Sequence, residues 1–286
     1  MRDTIRQFHW MEFRLLAKEA VMKTAQNVSA QDLRLSGPSQ NRSLERGVEI
    51  LRAFRPGADL LGNGELAERT GLSRATVSRL TQTLVGTGLL EHDRRQRAYR
   101  LAAPVLSLAH AMRSGSPVLQ VAAPMMRKVA EKLKINVGLA VADGDEMVYL
   151  ESVRYNRKVS LRNVVAGQRV PIELTSLGRS WLAVAPQARR EAFLAAAAAR
   201  RGAGWADMAR EIARAGELVR LRGFCVASWQ AEVVALATPL VVEGCPIYAL
   251  NMSVATQDSV EAVAGTLAIP LLDLAARIRT ALVAGA

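Results

Sequence analysis

The segment spanning residues 64–101 constrains the fold more than any other part of this chain. It contains two short helical patterns, a tight turn and a basic hairpin. Glu65 to Thr70 form a short amphipathic pattern before Gly71, which can adopt the positive φ that ends a helix and redirects the chain. Ser73 can then cap a second helix by accepting a backbone hydrogen bond. The order of these features predicts a helix-turn-helix followed by a two-stranded hairpin.

The second predicted helix of this segment has one packing face and one free face. The residues expected to pack inward recur at the 3.6-residue spacing of a helix, and they are Val77, Leu80, Thr81 and Leu84. The opposite face carries only small, hydroxyl, amide and guanidinium groups, at Ala75, Ser78, Arg79 and Gln82. Such groups can contact base edges and phosphates, so this face suits the major groove of DNA.

The hairpin after Gly88 concentrates positive charge. Strand-like runs at residues 89–90 and 99–101 flank a turn that holds Arg94, Arg95 and Arg97. Between residues 71 and 101, six arginines face only two acidic residues, Glu91 and Asp93. Taken alone, each of these segments would be interpreted as an ordinary capped surface helix or a solvated run of charged residues. In this order, however, the pieces favour a wing that contacts phosphates.

Length and composition limit the remaining possibilities. A chain of 286 residues with 50% hydrophobic content favours two domains with separate cores. The net charge of +12 favours association with polyanions. The longest uninterrupted apolar run, Ala192 to Ala199, has eight residues, far short of the roughly twenty that a membrane helix needs. The charged N-terminus also lacks a secretory signal, so we predict a cytoplasmic protein with no membrane partner.

Cysteine and histidine are too sparse to favour an enzyme. Cys225 and Cys245 fit neither a disulfide framework nor a CxxC motif, and we expect buried, reduced thiols. The histidines are His9, His92 and His110. Residues 111–286 therefore cannot build a Ser/His or Cys/His pair or a histidine-ligated metal site. We predict no catalytic residues, no metal and no cofactor.

Periodicity divides the chain into four predicted regions. Residues 1–41 indicate a flexible extension, and residues 42–103 a three-helix core with a wing. The first helix of that core is expected to begin with a cap at Ser43 and to pack through one face. The residues of that face are Leu44, Val48, Leu51 and Phe54 or Arg55. A linker helix beginning at Pro104 is expected within residues 104–116.

The fourth region, residues 117–286, alternates helical and strand-like patterns. Its first helix is expected to pack through Val118, Val121, Met125, Val129 and Leu133. Predicted strands follow at VGLAVA, MVYLES, KVSLR, FCVAS, VVALATPLVV and IYALNMSV. Further helices are expected over residues 175–185, 187–201 and 207–222, and from Ser259 with a bend at Pro270. Helices around an antiparallel sheet predict an α+β domain.

From about Leu44 to the C-terminal helix, these features resemble those of bacterial IclR-type transcriptional regulators. In the first domain the resemblance is carried by SLERGVEILRAF, ELAERTGLSRATVSRLTQTLVGTGLL and the wing ending YRL. In the second domain it is carried by MVYLES, GQRVPIELTSLGRSWLA, LRGFCVASWQAEVVALATPL and IYALNMSV. The resemblance implies an N-terminal winged helix-turn-helix domain plus a C-terminal GAF-like α+β effector-binding domain with an antiparallel sheet. It also implies a homodimer or homotetramer that acts as a repressor or activator of nearby genes.

The same resemblance implies site residues in both domains. The residues that it implies contact DNA are Ser73, Arg74, Ala75, Thr76, Ser78 and Arg79. The wing residues Arg94, Arg95 and Arg97 are expected to contact the phosphate backbone. Those around a small-molecule cavity are Val159, Arg162, Val170, Ser176, Leu177, Trp229, Ala235, Asn251 and Ser253. The Arg162 guanidinium could bind both oxygens of a carboxylate effector. An equally good interpretation is that Arg162 is a strand residue that contacts only solvent.

We therefore expect a regulator that binds a double-stranded DNA operator and senses a small organic or aromatic acid. One alternative is a constitutive DNA-binding protein whose C-terminal domain only oligomerises. Another is an enzyme that uses Cys225 as a nucleophile. The second alternative has weak support, because the nearest basic residues are Arg220 and Arg222 and no histidine is available to activate a thiolate.

Overall fold

The computed structural model describes residues 41–155, 164–230 and 232–285. These residues divide into two units, one ending at Ser116 and the other beginning at Pro117. The predicted extension, up to residue 40, and the predicted strand KVSLR lie outside the described residues.

The first unit is a winged helix-turn-helix. Three helices pack on a small antiparallel sheet whose strand order is β1-β3-β2, and β2 and β3 form the wing. The elements in chain order are α1 (Arg42–Ala53), β1 (Leu61–Gly62), α2 (Asn63–Thr70), α3 (Arg74–Gly86), β2 (Leu90–Asp93), β3 (Ala98–Leu101) and α4 (Ala103–Ser114). Pro104 lies in the first turn of α4, where its missing N–H costs no helical hydrogen bond.

The start of α1 and part of its packing face differ from the sequence prediction, although the predicted Leu51 and Phe54 do pack against the core of this unit. Asn41, not Ser43, caps the helix, because its side-chain oxygen accepts hydrogen bonds from the backbone N–H groups of Ser43 and Leu44. Leu44 is 67% exposed and Val48 is 43% exposed. The residues that α1 buries are Gly47, Ile50 and Ala53. The helix carries two apolar stripes, and contact with α2 and α3 selects the one through Ile50.

The second unit is built on a six-stranded antiparallel sheet. The strand order is β6-β5-β4-β9-β8-β7, and every neighbouring pair is antiparallel. The strands are β4 (Asn136–Asp143), β5 (Glu146–Val153), β6 (Arg169–Pro171), β7 (Cys225–Ala227), β8 (Val233–Leu240) and β9 (Tyr248–Ala255). The helices are α5 (Pro117–Leu133), α6 (Ser176–Val184), α7 (Gln187–Arg201), α8 (Trp205–Arg222) and α9 (Val260–Ala284). Pro270 lies within α9.

The two faces of this sheet carry side chains of different size. One face packs against α5 and α9 through large residues, including Leu139, Leu236, Leu250 and Met252. The other face meets α6, α7 and α8 and carries small residues in its central strands, including Ala140, Ala237 and Ala249. Helix α5 buries Ala122, Met126 and Ala130 most deeply, whereas the predicted Val121, Met125 and Val129 are only partly buried at the edge of the same cluster.

Close packing of α6 against the strand-end residue Ile172 predicts a strict requirement for glycine at position 178. A Cβ at Gly178 would lie 2.2 Å from the Ile172 carbonyl oxygen. We expect Gly178→Ala to lower the free energy of unfolding by about 1 to 3 kcal/mol, because the backbone must move to relieve this overlap. Urea denaturation of both proteins measures the difference.

Gly265→Ala provides the matched control, because Gly265 also lies within a helix but a Cβ there would meet nothing within 4 Å. This variant should be neutral or more stable by up to about 1 kcal/mol, as alanine favours helix. Equal stability changes in the two variants would show that α6 does not need the close contact.

Candidate DNA-binding surface and ligand cavity

Helix α3 presents a polar face away from the core of the first unit. Its buried residues are Val77, Leu80, Thr81 and Leu84, so the predicted packing face is confirmed. On the opposite side Ala75, Arg79 and Gln82 are exposed and Ser78 is partly exposed. The residues that sequence reasoning assigned to DNA contact lie together in the cap and first two turns of α3.

Local hydrogen bonds define where α3 begins. Ser73 Oγ accepts a hydrogen bond from the Thr76 backbone N–H at 3.3 Å, which confirms the predicted cap. Gly71 ends α2 in the left-handed conformation with φ of 69°, the conformation that glycine adopts without steric cost. These two residues set the turn between the helices.

Asp93 organises the turn of the wing. Its carboxylate accepts hydrogen bonds from the backbone N–H groups of Gln96 and Arg95, at 3.1 and 3.0 Å, and from the Arg100 guanidinium at 2.6 Å. The hydrogen bond from Gln96, together with those from Arg95 and Arg100, lowers the pKa of Asp93. The side chains of the predicted phosphate-contacting residues Arg94, Arg95 and Arg97 are left exposed at the tip.

A cavity lies on the α6 side of the six-stranded sheet. It is lined by seven of the residues predicted to surround an effector: Val170, Ser176, Leu177, Trp229, Ala235, Asn251 and Ser253. The other two, Val159 and Arg162, lie outside the described residues. Arg154 and Val164, which stand near either end of the undescribed segment, both line the cavity.

Sequence reasoning missed the polar residues that β4, β5 and the residue directly after β5 contribute to this cavity. Among them are Asn136, Tyr149, Ser152 and Arg154. The register between the two strands shifts at a β-bulge, so that Tyr149 pairs with Ala140 whereas Ser152 pairs with Gly138. A regular strand would place Tyr149 and Ser152 on opposite faces. The bulge places both on the cavity side, and no pattern in the sequence predicts it.

Tyr149 and Asn251 form a buried polar pair in the cavity wall. Their side chains lie close together, and burial raises the pKa of Tyr149 to about 12, while Asn251 and the charge of Arg154 partly oppose this rise. A Cβ at Gly138 would lie 2.5 Å from both Asn251 Oδ1 and Tyr149 Cε1. Glycine at this position therefore allows the pair to form, and Tyr149 presents a neutral phenol at neutral pH.

The thiol of Cys225 is poorly suited to nucleophilic chemistry. Its Sγ donates a hydrogen bond to the Ser176 carbonyl oxygen at 3.4 Å, and burial raises its pKa to about 12. A thiol held neutral in this way is a poor nucleophile at neutral pH. Cys245 is exposed, so the expectation that both thiols are buried is wrong for Cys245, which lies in the turn between β8 and β9.

Two features are absent from the residues that the structure describes. No group of three or more His, Cys, Asp or Glu residues is placed to hold a metal ion within them. None of the described helices is long and apolar enough to cross a membrane.

The raised pKa of Tyr149 predicts a specific loss of stability at alkaline pH. The unfolded chain releases the tyrosine proton near pH 10, whereas the folded chain holds it to about pH 12. The contribution of the protonated Tyr149 to the free energy of unfolding is therefore fully present below pH 10 and is lost as the pH rises to 12. Each tenfold change in proton affinity corresponds to about 1.4 kcal/mol, so Tyr149→Phe should reduce the loss at pH 11.5 by about 2 kcal/mol.

Denaturant titrations at pH 8 and pH 11.5 measure this effect. Tyr155→Phe is the control, because Tyr155 is 46% exposed, and it should lose stability to the same extent as the unmodified protein. If Tyr149→Phe also shows the unmodified pH dependence, Tyr149 does not hold its proton in the folded state.

Comparisons with known proteins agree with both units. The chain matches the family models for the IclR helix-turn-helix domain over residues 43–94 and the bacterial transcriptional regulator IclR C-terminal domain over residues 110–280. It is 34% identical over 195 residues to the HTH-type transcriptional regulator TsaQ1/TsaQ2 of Comamonas testosteroni, covering 68% of this chain and 70% of that protein. It is 28% identical to the Pca regulon regulatory protein of Pseudomonas putida, covering 76% and 75%.

Two solved structures extend the similarity to three dimensions. An IclR family transcriptional regulator from Brucella abortus superposes with a TM-score of 0.76 and 31% identity, covering 84% of this chain and 92% of that one. An IclR homolog complexed with 4-hydroxybenzoate, from Microbacterium hydrocarbonoxydans, gives a TM-score of 0.65 and 28% identity, covering 85% and 99%. The chain belongs to the IclR family of DNA-binding transcriptional regulators.

Proposed function

We propose that this regulator is controlled by a small organic or aromatic acid that binds the cavity beside α6. The observation that carries the proposal is the cavity itself, which brings together seven predicted residues from β6, α6, β8, β9 and the segment after β7. Its wall combines apolar surface with convergent polar groups, as small-molecule sites do. The similar structure from Microbacterium hydrocarbonoxydans holds 4-hydroxybenzoate, which supports an acid as the ligand class.

We further propose that the polar face of α3 reads operator DNA. Ser73, Arg74, Ala75, Thr76, Ser78 and Arg79 would enter the major groove, while Arg94, Arg95 and Arg97 would contact phosphates. In a homodimer or homotetramer, paired α3 helices would read two half-sites of one operator in the cytoplasm.

Residues 42–103 would then bind DNA and residues 117–286 would bind the effector and oligomerise, joined by a linker at residues 104–116. Effector binding would alter DNA affinity by about 5- to 150-fold, the usual range of such coupling. Repression and activation are both compatible with this scheme.

Arg79 and Arg95 should affect DNA binding in different ways. Arg79→Ala should weaken binding to a preferred genomic fragment by about 1 to 3 kcal/mol and reduce its preference over scrambled DNA, because Arg79 reads base edges. Arg95→Ala should weaken both complexes alike and reduce the dependence on salt, because Arg95 contacts phosphate. Affinity measurements across a salt series, on a fragment selected from genomic DNA, test both variants.

Arg127→Ala is the control for this comparison. It removes the same charge from an exposed position on α5 in the second unit and should change neither affinity nor preference by more than about 0.5 kcal/mol. If Arg79→Ala loses the same amount of binding affinity for the selected fragment and for scrambled DNA, Arg79 does not read base edges.

Effector control predicts a ligand-dependent change in operator binding. In a thermal-shift screen of carboxylic acids, a ligand at 100 times its Kd should stabilise the protein by about 2.7 kcal/mol. The same acid should change the mobility of the selected DNA fragment in complex with the protein. Acids that leave both the melting temperature and the mobility unchanged would instead favour a constitutive DNA-binding protein whose second domain only oligomerises.

A further inference from the structure

We infer that Arg154 and Ser176 form an anion-binding set in the cavity, and that the effector binds as a carboxylate on the Arg154 guanidinium. The inference rests on the proposed function, since it assigns the group that recognises the acid. It differs from the sequence-based expectation, in which Arg162 had that role.

Arg154 is a half-buried cation that none of the described carboxylates neutralises. Its guanidinium donates one hydrogen bond to the Val164 carbonyl oxygen at 3.5 Å, at the limit of such a bond. No carboxylate of the described residues lies within 4.0 Å of it. Burial of a guanidinium is costly unless a charge or several acceptors replace its water. Arg154 is therefore suited to an anion that enters with the ligand.

Comparable arginines in the same unit already have their counter-charges. Arg169 pairs with Asp143 and Glu146 at 2.8 and 2.7 Å, and Arg179 pairs with Glu211 at 2.6 Å. Arg279 on α9 is also partly buried, and its Nε has no hydrogen-bond partner in the described structure. Arg279, however, does not line the cavity. Within the described wall, Arg154 alone combines partial burial, a missing carboxylate and access to the ligand space.

The rest of the described cavity wall is electrically neutral. It contains no Asp, Glu, Lys or His, and its other titratable group, Tyr149, is a neutral phenol. The charge of Arg154 favours the ionised form of Tyr149, but burial outweighs this effect and keeps the phenol neutral. The single positive charge of this wall favours a monoanion, and the planar guanidinium matches the two oxygens of a carboxylate.

Ser176 supplies a second, independent indication of an anion. It is only 2% exposed, lines the cavity, and its hydroxyl has no hydrogen-bond partner among the described residues. It is also the first residue of α6, whose cap, Thr175, accepts a hydrogen bond through its hydroxyl from the Gly178 N–H. The N–H groups at the start of a helix favour negative charge. An unpartnered hydroxyl beside such N–H groups fits a carboxylate.

Calorimetric binding to full-length protein tests the inference with acid and amide pairs. The probes are benzoate and benzamide, 4-hydroxybenzoate and 4-hydroxybenzamide, and propionate and propionamide. The unmodified protein should bind at least one acid, and bind it about 30-fold or more tightly than its amide. Arg154→Gln should weaken that acid about 30-fold and change affinity for the amide less than about threefold, so that the preference disappears.

Matched variants separate recognition from folding. Arg154→Lys should retain part of the acid preference, because the charge remains but the fork is lost. Ser176→Ala should weaken the acid by about three- to tenfold through one lost hydrogen bond, without affecting the amide. Arg162→Gln tests the sequence-based candidate and should change the preference less than about threefold.

The outcomes distinguish this inference from the proposed function. If the unmodified protein binds amides as tightly as acids, or if Arg154→Gln keeps the full acid preference, the inference is wrong while effector binding stands. If the unmodified protein binds neither acids nor amides, the proposed effector class fails and the inference fails with it. The acid and amide affinities of the unmodified protein remain decisive even where a variant does not fold.

Discussion

The close approach of α6 to the small-residue face of the six-stranded sheet is the constraint on which the ligand cavity depends. Gly178 lets the helix lie against the backbone of Ile172, while Gly138 leaves room for the Tyr149 and Asn251 side chains above β4. The opposite face is filled by leucine, valine and methionine side chains packed on α5 and α9. One face therefore packs on α5 and α9, whereas the other packs on α6, α7 and α8 but leaves a cavity beside α6.

The DNA-binding unit depends on shorter-range interactions. Gly71 and the Ser73 cap set the turn before α3, and Asp93 ties the wing turn to Arg100 through hydrogen bonds at its base. These bonds fix the backbone at the start of α3 and in the wing turn, and they use the Arg100 guanidinium but not those of Arg94, Arg95 and Arg97. The side chains of these three arginines remain exposed.

The Cys225 thiol and the described cavity wall differ from the activated groups of a typical catalytic site. The buried Cys225 thiol is protonated and donates a hydrogen bond to a backbone carbonyl oxygen. The polar groups in the described cavity wall are donors and acceptors of hydrogen bonds instead of acid and base pairs. The membership of the IclR family agrees with this chemistry.

The sequence by itself determined the helix-turn-helix, its cap, the packing face of α3 and most strands of the second unit, because caps, glycine turns and periodicity act over a few residues. Resemblance supplied the seven described cavity residues. Tertiary structure decided which stripe of α1 is buried, that Cys245 is exposed, and that a bulge turns both Tyr149 and Ser152 toward the cavity. Arg154 could not be selected from the sequence, because its lack of a counter-charge depends on residues brought together from distant parts of the chain.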